Sequence, residues 1–260
     1  MADLKDTLAR AGIDVSHFSW FRSTPDPIAR LKVGGSDAAV QWRILRALTA
    51  GTGHYPILVG NDEDLSRHNE AIESDPASTA SIIEIVEASL DPIAWARERL
   101  SEQAEDTGDE DAYQHCLELL EEEPAAWPDD VEPTDAFTIP TNISTREPLA
   151  RVNLLLLPTA VSWHAPAYLR FGAWNACPGA EDHAGLMRAW ERQYGAEVVG
   201  ISGDVVEMAV ARPPTTRAEA TRLAVVQYAY CNDIVDQGTQ SVEALAAVLL
   251  DAPIWYFWWD

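Results

Sequence analysis

Pro253-Ile-Trp-Tyr-Phe-Trp-Trp-Asp260 closes the sequence. Six consecutive apolar residues, three of them tryptophan, stand where a frayed and polar end is the ordinary case. A short run that is apolar at every position reads as a strand covered on both faces. Two more runs have this character, Tyr55-Pro-Ile-Leu-Val59 and Val152-Asn-Leu-Leu-Leu-Leu157. The last hundred or so residues are therefore expected to be built around a sheet whose final strand is part of the core.

Composition sets the outer bounds. At 260 residues and 47% apolar, the chain can bury a core of one large or two small domains. No run of eighteen apolar residues occurs, so no membrane-spanning helix is expected. Met1-Ala-Asp-Leu-Lys-Asp6 lacks the basic-then-apolar pattern of a secretory signal. Three scattered cysteines, Cys116, Cys177 and Cys231, make no disulfide framework and point to a reducing cytoplasm. A net charge of −24 disfavours nucleic-acid backbones and anionic lipid. Two lysines, Lys5 and Lys32, against sixteen arginines, with abundant alanine, suggest a bacterial chain of high-GC coding. The acidity is uneven: residues 1–148 carry a net −19 and residues 149–260 a net −5.

Working back to the start, residues 3–11 suit a short amphipathic helix stopped by Gly12, and 13–35 read as irregular. Ser36-Asp37 suits the cap of a helix ended by Gly51, with Val40, Ile44, Leu45 and Leu48 on one buried face. The Tyr55–Val59 strand follows, and Asn61-Asp-Glu-Asp64 caps a polar helix. Residues 80–123 read as mostly helical, although Ile82–Val86 also suits a strand, and Asp91-Pro92 is a good helix start. Residues 98–135 hold fifteen Asp or Glu and one basic side chain, Arg99. That pattern suits a solvated helical hairpin or an acidic surface that docks a basic partner. Five prolines between 124 and 148 mark a connector.

Beyond the Val152–Leu157 strand lies an aromatic loop, 159–181. A helix over 182–194 precedes strands at 197–201 and 205–210 joined by Ser202-Gly203-Asp204. Thr215-Thr216 and Ser241 cap helices over 217–230 and 242–250, and the terminal strand completes the order. The chain is thus expected to be α/β. A C-terminal ferredoxin-like β-α-β-β-α-β domain occupies 149–260, and a connector 124–148 precedes it. An acidic, mostly helical region, 1–123, contributes at least one strand, near 54–59.

Four groups of residues carry possible chemistry. Cys177 precedes a helix, where the dipole can favour a thiolate, and His164 or His183 would be its base; it is equally a small buried apolar side chain. Cys231 ends a helix, which disfavours its thiolate. Asp233-Ile-Val-Asp236-Gln237-Gly238 would line a polar site beside Tyr228 and Tyr230, or simply satisfy backbone groups at a turn. Arg170 and Arg212 would neutralise those acids or bind an anion, and Asp260 places carboxylate charge at the end of a buried strand. Trp163, Tyr168, Phe171 and Trp174, with Asn175, would wall a groove or cover the sheet. His164, Cys177, His183 and Cys231 suit zinc chemically, but no metal-binding spacing connects them, and no metal is expected. Phosphate-loop, dinucleotide and nucleophile-elbow motifs are missing, so no cofactor is expected.

Pro166-Ala-Tyr-Leu-Arg-Phe-Gly-Ala-Trp-Asn-Ala-Cys-Pro178, Tyr194-Gly-Ala-Glu-Val-Val-Gly200, Ala211-Arg-Pro-Pro214, Gln227-Tyr-Ala-Tyr-Cys231, Asp233-Ile-Val-Asp-Gln-Gly238 and the closing Trp-Trp-Asp260 occur in one order. Together they resemble the bacterial domain of unknown function 4253, common in actinobacteria, over roughly 149–260. The resemblance implies a domain and a bacterial origin, and no activity. Two functions follow from the residues. One is a non-enzymatic interaction protein, of immunity type, that meets a basic protein. The other is a hydrolase with a cleft between the 159–181 loop and the 231–238 turn, in which His164, Cys177 and Asp236 converge.

Overall fold

A computed structural model describes residues 2–75, 77–87, 90–108, 110–128, 131 and 133–260. Three strands come from the first half of the chain: β1 (Ser19–Arg22), β2 (Ile28–Val33) and β3 (Tyr55–Gly60). Four follow: β4 (Val152–Leu157), β5 (Ala196–Ile201), β6 (Val205–Val210) and β7 (Ile254–Trp258). They form one mixed sheet in the order β1-β2-β4-β3-β5-β6-β7. β4 is antiparallel to both β2 and β3, and β3 runs parallel to β5. Ten α-helices lie among the described residues. They are α1 (Ala2–Arg10), α2 (Ala38–Thr52), α3 (Asp62–Ser74), α4 (Thr79–Glu87), α5 (Pro92–Thr107), α6 (Glu110–Glu121), α7 (Ala165–Leu169), α8 (Ala180–Tyr194), α9 (Arg217–Tyr230) and α10 (Val242–Leu249).

The α/β class matches the expectation, but the strand order is not ferredoxin-like. β3 lies between β4 and β5, so strands expected to belong to one C-terminal sheet are separated by one from the first half. β3 and β4 are buried at every position, and each needs a neighbour on both edges. Gly200 of β5 permits the close approach to Leu58. A Cβ there would lie 2.6 Å from Ile139 Cδ1 and 3.0 Å from the Leu58 carbonyl oxygen. Residues 13–35, expected to be irregular, contain β1 and β2. β2 is recruited by pairing with β4 from Ala29↔Leu156 to Val33↔Val152, a partner more than a hundred residues away.

Two compact units make up the chain, and neither is continuous in sequence. The first comprises Met1–Ile83, Phe137–Phe171 and Val198–Glu207; the second comprises Glu84–Ala136, Gly172–Glu197 and Met208–Asp260. The proline-rich stretch 124–148 therefore divides between them.

In the first unit, α2 buries Ala38, Trp42, Leu45 and Thr49, and Trp42 Nε1 donates to the Pro56 carbonyl at 3.0 Å. The buried stripe is set by Trp42; Val40 and Ile44, expected to face inward, are exposed. α2 also runs past Gly51 to Thr52, and Gly53 closes it with φ +67°. Asn61 caps α3 in a capping box with Asp64, as its sequence suggests. Glu207 is fully buried on β6. Its carboxylate accepts from the Thr138 backbone N–H, the Thr138 hydroxyl (2.8 Å) and the Ile139 N–H (3.2 Å). Burial raises its pKa, and the three donors offset part of that rise.

The second unit is organised by β7. Its residues alternate: Trp255 and Phe257 are buried, as is Trp259 just beyond the strand, while Tyr256 and Trp258 are half-covered. The strand expected to be buried on both faces therefore buries one face completely and the other in part. Trp190 of α8 stacks on Phe257 with ring centroids 5.6 Å apart. It also meets Tyr230 and Trp255 edge-on, and Tyr230 meets Trp259 in the same way. Such edge and stacked contacts add to the area the rings bury.

Candidate functional site: a polar groove beside a π-helical turn

After α9 the chain does not simply turn. Cys231 takes an extended conformation, and Ile234–Thr239 form a π-helix closed by Gln240 at φ +68°. A π-turn widens the helix by one residue and projects side chains that an α-helix would pack away. Two polar networks result. In one, Asp233 accepts from Gln237 Nε2 at 2.8 Å and from the Asp260 backbone N–H at 3.0 Å. Asn175 Nδ2 completes it by donating to the Asp260 carbonyl at 2.9 Å. In the other, Asp236 accepts from Asn232 Nδ2 at 3.1 Å and, at 3.4 Å, from the Tyr228 hydroxyl. Asn175, Asp233, Asp236, Gln237 and Asp260, all named from the sequence, thus gather around one turn.

This turn forms one side of a groove of about 520 Å³ in the second unit. α5 supplies Arg99, Leu100, Gln103 and Asp106; α6 supplies Tyr113; Asn175, Tyr228, Asn232 and Asp236 close the other side. α5 starts where Asp91 caps it, accepting from Ile93 N and Ala94 N, with Pro92 in its first turn. Arg99 is held inside the unit: it donates to the Ala176 carbonyl at 3.1 Å and pairs with Glu102 at 3.4 Å. Two buried atoms in the wall, Arg99 Nε and Asn232 Oδ1, have no hydrogen-bond partner among the described residues. No cation pairs with Asp106 or Asp236 among the described residues.

The thiol site has a different character. Cys177 Sγ lies 3.4 Å from His183 Nε2, and His183 Nδ1 lies 2.6 Å from the Tyr230 hydroxyl. On paper this resembles a nucleophile, its base and an orienting group. In the fold it is core. His183 has no exposed surface, and burial lowers its pKa to about 3. Burial pushes the Cys177 thiol up and the Tyr230 phenol well above its usual value. Both members of the Cys177–His183 pair are therefore neutral, the opposite of a thiolate–imidazolium pair. Gly172, at φ +107°, brings backbone against this cluster; a Cβ there would collide with the Pro178 carbonyl and lie 2.9 Å from the His183 ring.

The remaining expected residues lie elsewhere. His164, Trp163, Tyr168 and Arg170 belong to the first unit. His164 Nδ1 pairs with the Thr159 hydroxyl at 2.7 Å, its ring edge-on to Trp163. Tyr168 donates to the Pro158 carbonyl at 3.1 Å. Arg170, expected to serve the acids near 233–236, pairs with Asp75 and donates to the Ala77 carbonyl and the Thr79 hydroxyl. Arg212 donates to the Arg192 carbonyl at the end of α8. The Trp174 carbonyl accepts from Cys177 N at 2.8 Å. Within the second unit, the imidazole at Cys177 is that of His183, and Asp236 bonds Tyr228 and Asn232. Cys116, Cys177 and Cys231 are buried thiols outside any disulfide, and burial raises Cys231 to about 12. No group of three His, Cys, Asp or Glu among the described residues could hold a metal ion.

Residues 153–260 match the family model of a domain of unknown function, DUF4253. No curated protein and no solved structure matches the chain. The DUF4253 stretch contains the π-turn, both of its polar networks and the Cys177–His183–Tyr230 cluster, whereas Arg99, Gln103, Asp106 and Tyr113 precede it. The groove is therefore closed by helices from outside the matched domain. Arg99 and Asn232 carry no local signature that marks them as neighbours, since they are far apart in sequence.

Proposed function

We propose that this chain is a non-enzymatic binding protein whose second unit takes a basic protein partner on the α5–α6 hairpin. The observation that carries the reading is the solvent exposure of the hairpin carboxylates: Glu98, Glu102, Glu105, Asp106, Glu110, Asp111, Glu118 and Glu121 are all exposed. Asp109, Asp129, Asp130 and Glu132, also among the fifteen acids, lie outside the described residues. Exposed charges of one sign speed encounter with an oppositely charged surface and repel wrong partners. An immunity-type role, in which the hairpin masks the active site of a basic toxin, is the most specific form of this reading. A hydrolase would need a thiolate that substrate can reach, and the burial of Cys177 and His183 gives that alternative no support.

The test compares the wild-type protein with a variant in which Glu98, Glu105, Asp111, Glu118 and Glu121 are changed to the corresponding amides. Immobilised protein is used to capture proteins at low and high ionic strength. The reading predicts retained proteins that are basic, released by salt, and lost with the variant. Retention indifferent to the hairpin charges sinks it, as does failure to retain any basic protein.

A further inference from the structure

We infer that the groove between α5, α6 and the π-turn receives an arginine side chain presented by the protein partner. The inference rests on the binding reading above and adds a location and a chemistry to it. Three features converge in the groove. First, its charge is unbalanced. The Arg99 terminal nitrogens are engaged by Glu102 and the Ala176 carbonyl, only its buried Nε being without a partner among the described residues, whereas neither Asp106 nor Asp236 has a cationic partner there. An anion would meet two carboxylates, and a neutral ligand would leave both without a counter-charge. Second, the walls carry flat and apolar surface: Tyr113, Tyr228 and Leu100. A planar guanidinium stacks on a phenol ring while its edge donates to carboxylates; a compact ammonium matches that combination less well. Third, a volume of about 520 Å³ suits one long side chain with part of its backbone rather than a folded surface. The acidic hairpin supplies long-range attraction, and the groove supplies the local fit.

The experiment uses the full chain and a short Gly-Arg repeat peptide as probe, with a citrulline peptide of equal length as the uncharged control. Binding is measured by calorimetry at moderate salt. The expected result is saturable binding of the arginine peptide, no binding of the citrulline peptide, and about three- to tenfold weaker binding for Asp236→Asn and for Asp106→Asn. Both substitutions keep side-chain volume, and circular dichroism and thermal unfolding confirm that each variant is folded. Equal binding of the two peptides overturns the inference. So does wild-type affinity in both groove variants; if the hairpin-neutralised protein has then lost binding, the hairpin reading survives without the groove. If the groove variants lose affinity while the hairpin-neutralised protein keeps it, the groove stands and the hairpin reading fails. An arginine peptide that binds no form of the protein refutes the inference.

Discussion

Tyr228 and Tyr230 are two residues apart on α9 and have opposite surroundings. Successive helical residues turn by about 100°, so side chains two apart point about 200° from one another. Tyr230 enters the aromatic core with Trp190, Phe257, Trp259 and His183, and has no exposed surface. Tyr228 is half-buried in the groove beside Asp236. The core side holds the residues that look most chemical in the sequence, a cysteine, a histidine and a tyrosine in hydrogen-bond contact. Burial leaves all three neutral. The groove side holds an ordinary tyrosine, an asparagine and an aspartate, and keeps them where a ligand can arrive. Accessibility, rather than residue type, separates a site from a satisfied core.

The sharpest way to break this contrast is to damage the core and leave the groove alone. Trp190→Ala removes a fully buried ring from the centre of the cluster and is expected to cost about 3–5 kcal/mol, read by denaturant unfolding. A loss below about 1 kcal/mol would mean that the aromatic cluster does not organise the second unit.

The next test sets the two tyrosines against each other. Tyr230→Phe leaves His183 Nδ1 without its 2.6 Å partner in a buried site, and is expected to cost about 1–3 kcal/mol. Tyr228→Phe removes a long, half-exposed contact and is expected to change stability by no more than about 0.5 kcal/mol. Equal losses would erase the distinction drawn between the two faces.

His183 adds a pH test. Its pKa falls from 6.5 to about 3 on folding, so the unfolded chain binds a proton that the folded chain refuses. Its contribution is full above about pH 6.5 and is lost as pH drops toward 3, at up to about 1.4 kcal/mol per pH unit. Carboxylates titrate in the same window, so the informative quantity is the difference in slope between wild type and His183→Gln. The variant should show the shallower loss. Parallel curves would mean that His183 is not held neutral by burial.

The smallest expected effect is again on the groove. Asp236→Asn should shift the unfolding midpoint by no more than the equivalent of about 0.5 kcal/mol, because its carboxylate is exposed. A large loss of stability would reassign Asp236 from ligand contact to a structural cap of the π-turn. Thiol titration of the folded protein supplements this test: Cys177 should react only on the timescale of unfolding, since it is buried and its thiol is pushed up.

Much of the fold could be read locally, because local rules govern it. Asn61, Asp91, Thr216 and Ser241 cap their helices as their side chains and positions suggest, each accepting from backbone N–H groups within three residues. The gathering of Asp233, Gln237, Asn175 and Asp260 was partly legible, since Asp233 and Gln237 sit at one turn, whereas Asn175 and Asp260 reach it from distant parts of the sequence. The inward face of α2 was not. Val40, Ile44 and Leu48 form as good a stripe by periodicity as Ala38, Trp42, Leu45 and Thr49; the bond from Trp42 to Pro56 distinguishes them. The choice of His183 over His164 as the neighbour of Cys177 was equally hidden. His164 lies 13 residues before Cys177 and His183 six residues after it; spacing alone does not choose between them, and packing against Tyr230 and Trp259 fixes His183 in place.

From sequence alone, the apolar runs of β3, β4 and β7 were determined to be strands, and the starts of α3, α5, α9 and α10 were placed by their caps, whereas the cap expected at Ser36-Asp37 makes no side-chain bond to α2. These outcomes depend on side-chain period and on hydrogen bonds a few residues long. Only the tertiary structure decided that β3 enters between β4 and β5, that Tyr256 and Trp258 stay half-covered while Trp255 and Phe257 are sealed, and that α5 and α6 meet the π-turn in a groove. Those outcomes depend on which distant surface satisfies each backbone edge and each apolar face. That competition is settled by the whole chain's burial and carries no local signature.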